Sequence, residues 1–391
     1  MNARLLSLAF APFAFGTSAF IYIGLIGPMA RDLGVSVAAV GQLQTAFALA
    51  CGIGGPVLAR LLAQYDRKRL LLAVLTILLA MNIASALAPD IGTIVVIRFA
   101  CGLFAALTLP LASTLAVSNV SEQQRPTALA SVLAGYTLAF LIGMPLGSII
   151  GDALGWQAAF WFAAGITGMA LIVIAVAAPV HVHVPPTGAA GFRAALVGDN
   201  PLYMSITFLT FTATFITVSF IGPVITESTG LRGATIGGVQ LSTGIGSLLG
   251  LPVGAAMARM APRRALLILL AASCLTQVLF SVGMLLDLRG GNLPLLLLTM
   301  TLGSASLFAS TPIIQMRLAA AAGPAATIAF ALNGSMIFLG QGIGASVGGA
   351  IINSIGLAFT GLAGAVAGLL AMLLISRSRK PQESIVLASA T

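Results

Sequence analysis

Twelve apolar stretches, each long enough to cross a bilayer, run through this chain from Leu5 to Ser376. A helix rises 1.5 Å per residue, so about 20 apolar residues cover a hydrocarbon core about 30 Å thick. By that rule the stretches fall at 5–30, 37–63, 70–88, 91–118, 127–151, 157–179, 201–226, 235–259, 265–286, 293–317, 327–352 and 356–376. In lipid only helices and closed barrels satisfy every backbone N–H and C=O. Barrel strands would be about 10 residues of alternating polarity. These runs are longer, do not alternate and are rich in Gly, Ala and Leu. The expectation is an all-α polytopic membrane protein with twelve transmembrane helices.

Composition closes off the other classes. Of 391 residues 59% are hydrophobic and 7% charged, with a mean hydropathy of +1.09, whereas soluble domains carry about 25% charged residues. The net charge of +9 and pI near 10.5 rest on so few side chains that they indicate juxtamembrane arginines, not a nucleic-acid-binding face. Cys51, Cys101 and Cys274 each stand alone inside an apolar run, as small buried hydrophobes do. His181 and His183 form His-x-His on a Pro/Gly-rich loop without further ligands, so no metal or cofactor is expected. The first run lacks a small-residue cleavage site and reads as the first helix, not a signal peptide.

The longest polar interruption, His181–Asn200, divides the chain into a bundle at 1–180, a linker at 181–200, a second bundle at 201–376 and a tail at 377–391. The halves echo each other. GGPVLARLLAQYDRKR begins at Gly54 and GLPVGAAMARMAPRR at Gly250, with Pro56 matching Pro252 and Val57 matching Val253 at one offset. Gly27-Pro28 matches Gly222-Pro223, and the row Gly143, Gly147, Gly151 in span 5 matches Gly340, Gly344, Gly348 in span 11. Such repetition indicates duplication, hence two pseudo-symmetric six-helix bundles. A glycine at every fourth residue strips one helix face, and the two rows are expected to form the seam between halves.

Charge sets the orientation. With both termini inside, the cytoplasmic segments carry 14 Lys and Arg residues, including Arg67, Lys68, Arg69, Arg263 and Arg264, and the outer loops carry only Arg31, Arg232 and Arg289. This bias supports cytoplasmic termini and an even number of crossings.

Arg98 alone among the basic residues falls within a span, where a charge costs a few kcal/mol or more and needs company. It is expected to face the interior and hold a carboxylate, a substrate or water. The alternative is that it snorkels outward or braces a loop. Gly102, one turn on, allows close approach, and Asp32 is the acid nearest in depth. Tyr22, Gln42, Gln44, Asn82, Tyr136, Gln240, Gln277, Gln315, Asn333 and Gln341 are the polar side chains expected to line a neutral, hydrogen-bonding cavity. Such a lumen suits an uncharged or amphiphilic solute.

These patterns together resemble the major facilitator superfamily, specifically its twelve-helix drug:proton antiporter branch and the bacterial sugar-efflux and chloramphenicol-resistance exporters within it. The resemblance covers essentially the whole chain. It rests on GTSAFIYIGLIGPMARDLGVS (16–36), the basic turn DRKR (66–69), Arg98 with Gly102, GYTLAFLIGMPLG (135–147) and LGWQAAFW (154–161). The Gly135, Gly143, Pro145, Gly147 motif is similar to that family's antiporter signature and implies export. The resemblance further implies a multi-pass protein of the bacterial inner membrane, with proton antiport as its usual coupling, acting as a monomer on a small drug-like or sugar-like molecule. Gating residues implied are Asp66, Arg67, Lys68, Arg69, Arg263, Arg264, Gly143, Pro145, Gly147 and Gly344.

Two departures bear on mechanism. Where the exporters usually carry a glutamate, this chain has Ala19, and no Asp, Glu or His lies inside a span. Only groups near the span ends, such as Asp32, Asp152 or Glu227, could serve for coupling, with Asp32 and Glu227 the first candidates. The usual Asp-Arg pair of the basic turn falls at Ala63-Gln64. The alternative is a proton-independent facilitator or uptake carrier of the same fold. An embedded enzyme would need a convergent Asp, His or Cys cluster, and a sensor a further soluble domain; the sequence offers neither.

Overall fold

The computed structural model describes residues 3–178, 193, 195–286 and 292–377; most of the linker expected at 181–200, with His181 and His183, lies outside them, as does nearly all of the tail. Twelve helices match the apolar runs: α1 Ser7–Asp32, α2 Val37–Leu61, α3 Arg67–Leu87, α4 Ile91–Val117, α5 Glu122–Leu154, α6 Trp156–Ala177, α7 Asn200–Val218, α8 Ala234–Met257, α9 Pro262–Leu285, α10 Asn292–Ala322, α11 Ile328–Ser354 and α12 Leu357–Ser376. A short helix, Ile221–Thr229, continues α7.

Capping explains where the boundaries shift. Asp66 accepts from the Arg69 backbone N–H at 2.9 Å, so Arg67–Arg69 form the first turn of α3 and not a loop. Asp90 caps α4 through Thr93 in the same way. α10 continues to Ala322, which puts Arg317 inside it. The face carrying the Arg67–Arg69 and Arg263–Arg264 turns is called the basic face below.

The duplication is visible in the packing. α1 packs on α5, α2 on α4 and α3 on α6; α7 packs on α11, α8 on α10 and α9 on α12. The repeated glycines explain this, because lipid supplies no hydrophobic drive and backbones must approach closely to gain contact. Gly54 lies against Leu103 of α4, and its counterpart Gly250 against Ala305 of α10. Gly147 faces Ile21 of α1, while Gly344 faces Thr212 of α7. The two glycine rows therefore join helices inside each bundle and are not the seam between bundles. One-dimensional spacing marks a bare helix face; it does not say which neighbour covers it.

The seam uses other small residues. Gly24 of α1 meets Gly222 backbone to backbone, so that a Cβ on Gly222 would stand 2.7 Å from the Gly24 oxygen. Pro28 and Pro223 have no N–H to continue an α-helical ladder, and α1 and α7 are both interrupted just before these Gly-Pro pairs. Gly237 and Gly244 of α8 lie on Pro145 and Leu141 of α5, and Gly52, Gly342 and Gly349 bring α2 and α11 together. Helix α5 bulges there: Ala139–Gly143 is a π-helical turn in which the Met144 N–H reaches Ala139. Pro145 removes the N–H that Leu141 would otherwise receive, which favours such a bulge.

Candidate translocation pathway

Arg98 is wholly buried, with its guanidinium between two rings: the Phe47 centroid at 4.3 Å and the Tyr22 centroid at 5.0 Å. Gly102 makes this possible, since any Cβ there would strike the Phe47 backbone. Nη2 donates to the Ala19 carbonyl at 3.3 Å, while Nε and Nη1 have no partner among the described residues. Two π faces and one carbonyl thus take the place of a counter-ion. Asp32 does not supply one: it accepts from Trp156 Nε1 at 2.7 Å. It lies 10 residues past Tyr22 on α1, about 15 Å of helix rise, so likeness in depth did not make a pair. Nor does Arg98 snorkel, since α1, α2 and α4 enclose it.

From Arg98 a layer of neutral polar groups crosses between the bundles. Tyr22 donates its hydroxyl to Gln44 Oε1 at 3.0 Å, and Gln44 Nε2 donates to Gln341 Oε1 of α11 at 3.4 Å. Gln341 also faces the Tyr136 hydroxyl of α5, and Tyr136 stacks on Phe15. On the other flank Ser148 of α5 donates to Gln240 Oε1 of α8 at 2.7 Å. Gln44 and Gln240 are 196 residues apart, the offset of the glycine-proline repeat, and each reaches into the opposite bundle. Gln42, half-buried beside Gly349, sits in the α2–α11 seam. Ser148 and Phe47 were missed by sequence reasoning; a lone hydroxyl or ring facing another bundle leaves no periodic mark.

Two expected cavity residues stand elsewhere. Asn82 is held inside the first bundle, accepting from Ser18 at 2.7 Å and donating to Thr167 at 3.4 Å. Gln277, 195 residues on, occupies the matching place between α9, α12 and α7, against Gly364. Ala213 stands where Ser18 does and Gly364 where Thr167 does, so both polar atoms of the Gln277 amide lack partners. Amides do turn inward from lipid, but here inward means the centre of one bundle.

Asn333 is 4% exposed and faces a narrow cleft formed by Thr207, Thr210 and Phe211 of α7 and Ser310 of α10. Its Oδ1 has no partner, and Thr207, Thr210 and Ser310 donate their protons to their own helices. The cleft therefore presents acceptor lone pairs. It lies on the basic-face side of the polar layer.

The candidate gating residues divide by face. Lys68 donates to the Ala175 and Ala178 carbonyls at the end of α6, and Arg263 to the Ser376 carbonyl at the end of α12. These are cations at helix C-termini, each within its own bundle. Arg69 and Arg264 lie on the same turns. At the opposite face Glu227 is exposed near the end of the α7 extension, and Asp152, at the end of α5, accepts from the Ala234 N–H of α8 at 2.8 Å. No cluster of three or more potential metal ligands occurs among the described residues.

Two duplicated bundles of membrane-crossing helices, closing over a buried layer of polar side chains, have the architecture of a polytopic membrane transporter. The chain belongs to the Major Facilitator Superfamily, whose family model matches residues 8–325. Escherichia coli K12 inner membrane transport protein YdhP is 28% identical over the full length of both chains. A chloramphenicol resistance protein of Streptomyces lividans is 32% identical, covering 68% of this chain and 69% of its own. Among solved structures the nucleoside transporter NupG superposes with a TM-score of 0.71 over 95% of this chain and 98% of that one; at 14% identity the likeness is one of fold. The family and these relatives are transporters, not enzymes.

Proposed function

We propose that the protein exports a small, uncharged organic molecule, drug-like or sugar-like, across the bacterial inner membrane by proton antiport. Its termini and the basic face are cytoplasmic, and the halves rock about the α2–α11 and α5–α8 seams so that the polar layer is reached from either side in turn. The observation carrying this reading is the Tyr22–Gln44–Gln341 chain with Ser148–Gln240: a buried, inter-bundle layer without a carboxylate. A cationic cargo would find no counter-charge there, and the one buried cation, Arg98, lies behind the Tyr22 ring, whereas hydroxyl and amide groups exchange hydrogen bonds with the layer. The likeness to a chloramphenicol resistance protein and the helix-5 motif support the outward direction. Arg98, beneath Tyr22, positions that ring for the cargo.

The test is flux into inside-out membrane vesicles with chloramphenicol and a panel of neutral sugars. Accumulation driven by an acid-inside pH gradient and lost with Gln44→Leu or Gln341→Leu is expected. Accumulation indifferent to the gradient would replace antiport by facilitated passage. Absence of movement for every neutral probe would overturn the cargo class.

A further inference from the structure

The outer end of the seam, in the proposed orientation, is closed by one carboxylate acting across the two bundles. α8 starts at Ala234 after Gly233, which has no side chain to cap it and whose φ of +65° suits glycine. A Cβ on Gly233 would stand 2.5 Å and 2.7 Å from the two Asp152 oxygens. The missing side chain is what admits the carboxylate, and Oδ2 takes the Ala234 N–H at 2.8 Å. An acid from the first bundle therefore serves as the N-cap of a 24-residue helix in the second, where an ionised oxygen gains from both the free N–H and the positive end of the helix dipole.

We infer that Asp152 is a proton-operated latch on the outer face: ionised it holds that face shut, and protonation from outside releases α8 and favours opening there. Below the latch the seam continues through Gly237 on Pro145, Ser148 to Gln240, and Gly244 on Leu141. None of these contacts carries a titratable group. Rocking the outer ends apart must break the Asp152–Ala234 bond, and a neutral carboxyl loses the charge that makes that bond strong. The other charged groups at this end are Arg232 on the turn into α8, Glu227 on the α7 extension, Arg31 and Asp32 at the end of α1, and Asp90 before α4. Asp32 is engaged with Trp156 and Asp90 with Thr93. Asp152 is held by the Ala234 N–H, and no ion pair of it is seen among the described residues. Protons can thus bias the cycle of a chain whose described helices carry acids only near their ends, through the gate and not through the cavity.

The inference rests on the alternating-access reading, and its test uses no cargo, so that either can fail alone. Spin labels at Leu87→Cys of α3 and Ile355→Cys after α11, both exposed at the outer ends of opposite bundles, report their separation by double electron–electron resonance in nanodiscs. Going from about pH 7.5 to about pH 3, below the range of a free aspartate, should raise the population of long outer distances roughly threefold or more, because the open state then binds the proton that the capped carboxylate excludes. Asp152→Asn should show the raised population at both pH values. Asp32→Asn, which neutralises another outer acid, should keep the wild-type response. A wild-type distance distribution that ignores pH, or an Asp152→Asn protein that still responds to it, would overturn the latch.

Discussion

Replacing Gln277 with leucine should stabilise the protein, whereas the same change at Asn82, its counterpart in the first bundle, should destabilise it. Asn82 makes two interhelical hydrogen bonds, to Ser18 and Thr167. Such bonds average about 0.6 kcal/mol each in membrane proteins, so Asn82→Leu forfeits about 1 kcal/mol. The Gln277 amide is buried between α9 and α12 with both polar atoms unpartnered. An unmade buried hydrogen bond costs about 1–3 kcal/mol. The low end applies here, because a helix separated in the membrane also finds partners for its amide. Leucine has nearly the volume of glutamine, so a strain or cavity term should stay small. Gln277→Leu is thus expected to gain about 1 kcal/mol, a rise of about 2–4 °C in the melting midpoint of a unit the size of one bundle. Thermal unfolding of both variants in one detergent, followed by tryptophan and thiol-dye fluorescence, measures the two shifts. Equal losses in the two variants would refute the reasoning, since they would mean that Gln277 is engaged as fully as Asn82. Ala213→Ser supplies a further check: it restores the hydroxyl found at Ser18 and should also raise the midpoint.

The other expectations follow from single contacts. Gly147→Ala places a Cβ 2.5 Å from the Ile21 oxygen, and Gly344→Ala one 2.6 Å from the Thr212 oxygen; each should cost about 1–3 kcal/mol by forcing helices apart. Gly165→Ala, with nothing within 4 Å of the new methyl, should instead gain about 0.5–1 kcal/mol in the same melting assay. Arg98→Ala should abolish flux with membrane insertion intact, and Arg98→Lys should restore little, because an ammonium does not lie flat between two rings. Ala19→Glu puts a carboxylate beside the carbonyl that Arg98 already uses, and should add pH dependence to transport measured in vesicles; an unchanged profile would mean residue 19 does not communicate with the pathway. Asp90 is held below the usual carboxylate range by the Thr93 backbone N–H, then by its hydroxyl. Its cap is therefore complete above about pH 4, the range of an unfolded aspartate, and lost as pH falls through the lower folded value. Asp90→Asn should flatten that acid-side loss of thermal stability and leave neutral pH nearly unaffected.

What the chain alone determined is what lipid demands of any sequence. Twelve runs of sufficient length had to be helices, because no other local structure pairs its own backbone groups, and the repeat around Gly54 and Gly250 disclosed the duplication. Arg98 was legible as exceptional for the same reason. Tertiary structure decided every question of partnership. It set the rows at Gly147 and Gly344 inside the bundles, gave Asp32 to Trp156, and left Arg98 between two rings. It also separated Gln44 and Gln240, which bridge the halves, from Asn82 and Gln277, which do not, although all four read alike along the chain. The cause is geometric: a helix has several inward faces, and periodicity fixes which residues share a face but not which helix that face meets. Only folding brought Asp152 to the bare glycine that precedes α8 and to the Ala234 N–H, 82 residues away in sequence.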